Sequence, residues 1–428
     1  SWKDDKPVPV AMGYDLASAP HINKFAGEVE NPSTAFLDDL PYDLNNAERK
    51  RVSDLITSGV VDRLANDMAT ETRVVLGNPA IAAGKGWYSR MRIKLLNALG
   101  EDGRELFSQL LGATSAQTPV DENFQQAVDA YEGIKTKKYD RHREGYLTAV
   151  KAELDGTLND EIAKSKAVKS IQEIIAKLKN ELPQTTKKSE KIAIYAELKS
   201  LTELVEKPKE ERTPAQRLRL YVIGNDLLPR RSNGAKFNAN SGAVLKVISG
   251  VWLDNRESPK TPNFAGNLSG RTVQATIDIW AARYIRRQIY GNEGTPWRIQ
   301  PKSEVGVSKE DFAFSQIVMK RSADKLKMNP DDLQAILWFA EKDVWDKKGW
   351  TKNEGAKKSS FDDIFDVFFP EGKKPLSFAE GAAIIREGKN QEKVIAKAEK
   401  QASLKMEANA LGISITELNR MKKKDKLK

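Results

Sequence analysis

Thr118-Pro119-Val120-Asp121-Glu122-Asn123-Phe124-Gln125-Gln126-Ala127-Val128-Asp129-Ala130-Tyr131 is the stretch whose reading decides the fold. Thr118 reads as a helix cap, Pro119 as the first helical residue, and Asp121 as the acid that meets the positive helix end. Val120, Asn123, Phe124, Ala127, Val128 and Tyr131 then fall at i, i+3, i+4, i+7, i+8 and i+11, and only Asn123 in that series is not apolar. The spacing predicts a helix with one buried face. The same grammar recurs at Asn329-Pro330-Asp331-Asp332, where a cap, a first-turn proline and two acids precede the stripe Leu333, Ile336, Leu337, Ala340 and Val344. Residues 241–253 form a further apolar helix. Another is predicted over 273–289, with Ile277, Trp280, Ala281, Tyr284 and Ile285 on one face and Arg283, Arg286 and Arg287 off it. Alternation of the kind a strand needs is rare throughout, so the expected fold class is all-α.

Working outward from these helices gives six segments. Residues 1–45, rich in Pro, Gly, Asn and Asp, read as an extended N-terminal arm. Residues 46–150 are the first part of a helical core, opening at Asn45-Asn46-Ala47-Glu48, and residues 218–300 are its second part. Between them, 151–217 turns to Lys, Glu, Ala, Leu and Ile, punctuated by Pro183 and Pro208, and reads as an inserted helical arm with solvated faces. Residues 301–386 read as a helical C-terminal subdomain and 387–428 as a basic helical tail.

Composition excludes several classes of function. The chain has 428 residues and no cysteine, which removes disulfides, a cysteine-held zinc or iron–sulfur site, and a thiol nucleophile. Its two histidines, His21 and His142, argue against a multi-histidine metal centre or a Ser-His-Asp hydrolase. No apolar run approaches a membrane span, and no signal peptide is visible. The chain starts at Ser1 without Met, so processing or excision from something longer is expected. Lys and Arg number 70 against 60 Asp and Glu, a net charge of +10. Residues 389–428 alone hold eleven basic and five acidic residues, a net of +6, so most of the surplus sits in the tail. Such a balance permits a polyanion partner.

Several motifs dissolve on inspection. Ala83-Gly84-Lys85-Gly86 lacks the first glycine of a phosphate loop and the Ser or Thr after its lysine. Asp362, Asp363 and Asp366 interleave with Phe361, Ile364, Phe365 and Phe368, the pattern of an amphipathic helix with an acidic face rather than a metal site. His142 reads as a surface residue, and Trp338, Trp345 and Trp350 as core. No metal site or cofactor is expected.

Two stretches say more together. The first is Leu110-Leu111-Gly112-Ala113-Thr114-Ser115-Ala116-Gln117-Thr118. The second is Ser258-Pro259-Lys260-Thr261-Pro262-Asn263-Phe264-Ala265-Gly266-Asn267, followed by Thr276-Ile277-Asp278-Ile279-Trp280, with Asp278 18 residues after Lys260. The pair resembles the helix-hairpin-helix DNA glycosylase superfamily, in its endonuclease III branch. There a Leu-Leu-Ser-Ala-Gln helix end precedes a capped helix, and a hairpin ending in lysine precedes a Val-Asp-Thr-His-like segment. Ser115-Ala116-Gln117, Lys260 and Asp278 match these parts, over roughly residues 45–132 and 220–290, with 151–217 as an insertion. The chain departs from the family at Arg256-Glu257-Ser258, where the hairpin has a Gly-x-Gly turn facing a DNA phosphate, and Arg256 stands in that place. The family's iron–sulfur module has no counterpart. The block from Lys260 through Phe264 to Thr276-Ile277-Asp278-Ile279-Trp280 is also similar to one in phage-encoded proteins, which implies a viral source.

The resemblance implies a DNA-binding base-excision enzyme that cleaves the N-glycosidic bond. Asp278 would stabilise positive charge growing on the sugar, and Lys260 would attack as a neutral amine. Gln117 would enter the space left by the flipped base, while Arg256, Arg283, Arg286 and Arg287 would bind DNA. Read from the residues alone, Asp278 is equally a helix cap and Lys260 a surface or phosphate-contacting lysine. The alternative function is a non-catalytic internal or ejected virion protein with virion partners. The inserted helices, the arm, the lysine-rich tail and the missing Met suit it. Either reading places the chain in the host cytoplasm or the virion interior. Phosphate contacts release counterions, so deleting residues 389–428 is expected to weaken duplex DNA binding and flatten its salt dependence, as titrations from about 50 to 200 mM salt will read.

Overall fold

Reciprocal capping starts the described chain. The Asn45 side chain accepts from the Glu48 N–H, and the Glu48 carboxylate accepts from the Asn45 N–H, both at 2.9 Å. In this computed structural model the described residues are 44–57, 59–115, 118–237, 240–253, 260–278, 280–282, 284–285, 309–347, 361–370, 375–410, 413 and 415–425. The protein is all-α. Among these residues there is no strand, only an isolated bridge between Arg230 and Lys236. Nearly all of the N-terminal arm lies outside the described residues. No described helix is long and apolar enough to cross a membrane.

The helices are α1 (Asn46–Thr57), α2 (Val60–Val75), α3 (Pro79–Ala82), α4 (Trp87–Thr114), α5 (Val120–Lys135) and α6 (Asp140–Leu154). Then come α7 (Leu158–Lys164), α8 (Ala167–Gln184), α9 (Lys188–Glu206), α10 (Pro214–Gly224), α11 (Ser241–Ile248) and α12 (Lys260–Ser269). The remainder are α13 (Lys309–Leu326), α14 (Pro330–Lys347), α15 (Phe361–Phe368), α16 (Phe378–Ala410) and α17 (Ile415–Asp425).

Three apolar cores, and a small cluster of Ile81, Ile336 and Ala340 between α3 and α14, organise the described helices. The first gathers α4, α5, α11 and α12 around aromatic residues, and α15 and the start of α16 close it. Phe124 is fully buried there, edge-on to Phe107 at 5.4 Å and stacked on Phe368 at 5.9 Å. The second joins α1, α2, residues 275–285, α13 and α14. The third is small. It is built by α7, α8, α9 and α10 with the end of α6, around Ile171, Leu201, Leu204 and Leu220. The Lys/Glu-rich segment therefore carries an apolar seam of its own beneath its charged faces.

Two local expectations change. Val120, not Pro119, is the first helical residue of α5, because Pro119 stays extended at φ −57° and ψ 152°. Thr118 instead receives a 3.3 Å hydrogen bond from the Asn240 side chain. The helix expected over 273–289 does not include residues 272–278, which form an irregular strap; helical turn follows Asp278. Thr272, Val273, Thr276 and Ile277 are β-branched, which disfavours helix, and the strap's carbonyls are claimed by donors of other helices, as described below. Phe124 sits at the crossing of α4, α5 and α15, so Phe124→Ala is expected to lower stability by about 3–5 kcal/mol in urea denaturation, the range for deleting a buried aromatic ring.

Candidate active site

The strap is fixed carbonyl by carbonyl. Val273 accepts from the Asp331 backbone N–H at 3.1 Å. Gln274 accepts from the Asn267 side chain at 2.7 Å, and Ala275 from the side chains of Asn263 at 3.2 Å and Gln316 at 2.5 Å. Asn263 and Asn267 lie one turn apart on α12, both buried, so one face of that helix is a ladder for the strap. Asn267 also donates to the Thr276 hydroxyl at 3.1 Å. The strap then delivers Asp278 to the start of the next helical turn. Its carboxylate accepts from the Ala281 N–H at 2.9 Å, the geometry of a side-chain cap.

Lys260 is the first residue of α12, and the strap returns Asp278 close enough for the two charges to interact. Both are half-buried. Burial pushes the Lys260 ammonium below its ordinary value, and the Asp278 carboxylate opposes that only in part. Burial likewise pushes the Asp278 carboxyl up. Lys260, the N–H groups of Ala281 and Trp280, and the Trp338 indole N–H all favour the ionised form and hold the rise in check. The Lys342 ammonium lies over the other side of the Trp338 ring, 4.3 Å from its centroid.

α14 closes the site with polar groups that the sequence placed at the helix start or in the core and not at the site. Asp331, Gln334 and Glu341 are all buried, and with Trp338 they recur at helical spacing beside the apolar stripe of the same helix. Tyr88, buried on α4, donates to the Gln334 side-chain oxygen at 3.1 Å and sits beside Thr276, Asn267 and Asp278. Burial drives its phenol well above the ordinary range. Asp331 is pushed up to about 7, by burial first and by the neighbouring Asp332 second, against the pull of Arg92. The sequence shows the spacing of Asn263 with Asn267 and of Gln334 with Trp338 on one helix face each, but not that these faces are covered.

The two stretches singled out in the sequence meet. A Cβ on Gly112 would lie 3.0 Å from the Thr261 carbonyl oxygen and 3.1 Å from the Ala265 Cβ, so only glycine lets α4 approach α12 this closely. The Gln109 side chain accepts from the Leu253 N–H at 3.2 Å, and the Asn240 side chain donates to the Thr114 carbonyl at 3.2 Å. Of the expected site residues, Lys260 and Asp278 are brought together. Gln117, Arg256, Arg283, Arg286 and Arg287 lie outside the described residues. Chemically, the pair offers an amine that loses its proton more readily than a free lysine and a carboxylate held by N–H donors. Such a pair suits nucleophilic addition with stabilisation of adjacent positive charge.

No protein-family model, no curated protein and no solved structure matches this chain.

Asp331 has a sign that is open to test. Its folded-state value near 7 lies above the ordinary 3.8, so the folded chain keeps a proton that the unfolded chain has released. Stability is therefore expected to fall as pH rises from about 4 to about 7. Asp331→Asn keeps an acceptor but cannot ionise. Urea denaturation should find it more stable than the wild type at pH 8, with the gap closing by about pH 4.

Proposed function

We propose that the chain binds DNA and breaks the N-glycosidic bond of a flipped base, with Lys260 and Asp278 as its catalytic pair. One observation carries this reading. Residues 18 apart in sequence, at the starts of two successive helical segments, form one half-buried pair in which burial makes the lysine lose its proton more readily than in water. The Lys260 amine adds to the anomeric carbon of the sugar as the base departs with the electrons of the glycosidic bond and takes up a proton. The Asp278 carboxylate stabilises the positive charge that develops on the sugar. Loss of the amine proton and opening of the sugar ring leave an imine between Lys260 and the sugar, which water then hydrolyses.

Around this pair, Gln117 fills the gap left by the base, and Arg256, Arg283, Arg286, Arg287 and the basic tail hold phosphates. The helix-hairpin-helix glycosylase-like core supplies the frame, in a phage-encoded chain acting in the host cytoplasm or inside the virion. A second reading, a non-catalytic virion protein with virion partners, draws support from the separate apolar seam of the inserted arm and from the 33-residue helix α16, neither of which the pair requires.

Duplexes carrying uracil, oxidised and alkylated bases, scored for abasic sites, separate the two. Asp278→Asn keeps a capping acceptor and loses the charge. It is expected to cut base release by about two orders of magnitude or more, with DNA affinity retained. Lys260→Gln should abolish borohydride trapping of the protein on DNA. If wild type and Asp278→Asn are alike on every lesion, the structural reading takes over.

A further inference from the structure

A second charged feature lies at the far end of α5. The chain leaves that helix through Lys135-Thr136-Lys137-Lys138 and enters α6 at Asp140-Arg141, and the loop Arg230-Arg231-Ser232-Asn233-Gly234-Ala235-Lys236 folds against this turn. The Tyr139 hydroxyl, on a buried ring, donates to the Arg230 carbonyl at 2.9 Å. The Lys138 ammonium reaches the Ser232 hydroxyl at 3.3 Å, and Arg141 donates to the Asn225 carbonyl at 3.4 Å.

The loop is anchored from below. The Asp129 carboxylate is wholly buried and accepts from the Ser232 N–H at 3.0 Å and from its hydroxyl at 2.5 Å. Arg231 is drawn inward to Asp129 and Glu122, and its guanidinium covers the Phe378 ring at 5.3 Å. The loop's one inward arginine is thus spent on structure, while six cations are exposed: Lys135, Lys137, Lys138, Arg141, Arg230 and Lys236. Two of them are ion-paired, Arg230 to Asp226 at 3.8 Å and Lys236 to Glu197 at 2.9 Å. Lys137, Lys138 and Arg141 make no ion pair with any described residue, although Asp140 stands exposed among them.

We propose that this corner is a phosphate-binding surface for duplex DNA, separate from the Lys260–Asp278 pair and resting on the DNA-binding reading above. Cations on a rigid frame lose little freedom when they meet phosphates, and an excess of unpaired positive charge fits a polyanion. Its place also fits. α5 begins just beyond the stretch that packs on Thr261, beside Lys260, and runs 16 residues to Lys135. That length is about 24 Å, the span of about seven base pairs.

The test uses the full chain and an undamaged duplex of about 25 base pairs, titrated between about 50 and 200 mM salt. The triple variant Lys137→Gln, Lys138→Gln, Arg141→Gln removes three phosphate contacts. It should weaken binding at least about tenfold at the lowest salt and reduce the slope of log K against log salt by about 2 to 3, equally for unrelated sequences. The charge-keeping set Lys137→Arg, Lys138→Arg, Arg141→Lys should hold the wild-type slope. Circular dichroism confirms folding, and Arg141→Gln alone, which gives up one bond to a carbonyl, should lower the slope by about 1 if the triple variant unfolds. An unchanged affinity and slope in the triple variant overturns the corner and leaves the base-release reading standing. A weakened triple variant with no lesion released by the wild type supports the corner and overturns base release. Tighter binding of duplex RNA, or no wild-type duplex binding at all, overturns the corner.

Discussion

Where α12 meets α4, the Thr261 carbonyl would stand only 3.0 Å from any Cβ at position 112. Glycine there permits a backbone-to-backbone approach, and much of the first core depends on it. Leu253 and Ala265 fill the space a side chain would take, which holds both against the end of α4. A larger residue would push α12 outward, and with it both asparagines that hold the strap. Packing at this density does not yield by small adjustments, so the contact sets the register of everything downstream.

The strap shows how an irregular segment is made specific inside a helical protein. An extended run without a neighbouring strand leaves its carbonyls unsatisfied, at an expense of about 1–3 kcal/mol each when buried. Here three consecutive carbonyls, at 273, 274 and 275, receive donors from α12, α13 and α14. Three helices must therefore be in place before Asp278 has a fixed position. That dependence makes the position of the carboxylate a property of the whole fold rather than of a loop.

Helix starts and apolar faces were legible in the sequence wherever caps and periodicity agreed, as at Asn45 with Glu48 and at Asn329-Pro330 before α14. The interval from Lys260 to Asp278 was legible as a motif. The strap was not, because Ile277, Trp280, Ala281, Tyr284 and Ile285 keep a helical period that runs on into a real helical turn and hides the extended residues before it. The asparagine ladder was hidden for a different reason. Polar residues at helical spacing ordinarily face water, and only tertiary structure shows that Asn263, Asn267 and Gln334 face carbonyls and a phenol instead. Thr118 failed as a cap by one residue because Asn240, remote in sequence, claims its hydroxyl.

The chemistry proposed for the pair follows from where its members sit on their helices. Lys260 occupies the first position of α12, where free N–H groups present partial positive charge, and that end works against an ammonium. Asp278 occupies the cap of the next helical turn, where the same kind of N–H groups favour a carboxylate. Two helix starts converging on one point thus act in opposite senses on the two groups. They loosen the lysine's proton and favour the ionised aspartate; burial adds to the first effect and outweighs the second, which the Trp338 indole supports. Exchanging the two residues would put the ammonium at the cap, where it has no oxygen to accept from the Ala281 N–H, and the carboxylate on α12. The order lysine first, aspartate second, is the one in which the N–H groups of both helix starts favour the neutral amine and the ionised carboxylate, against a burial that favours the neutral form of each.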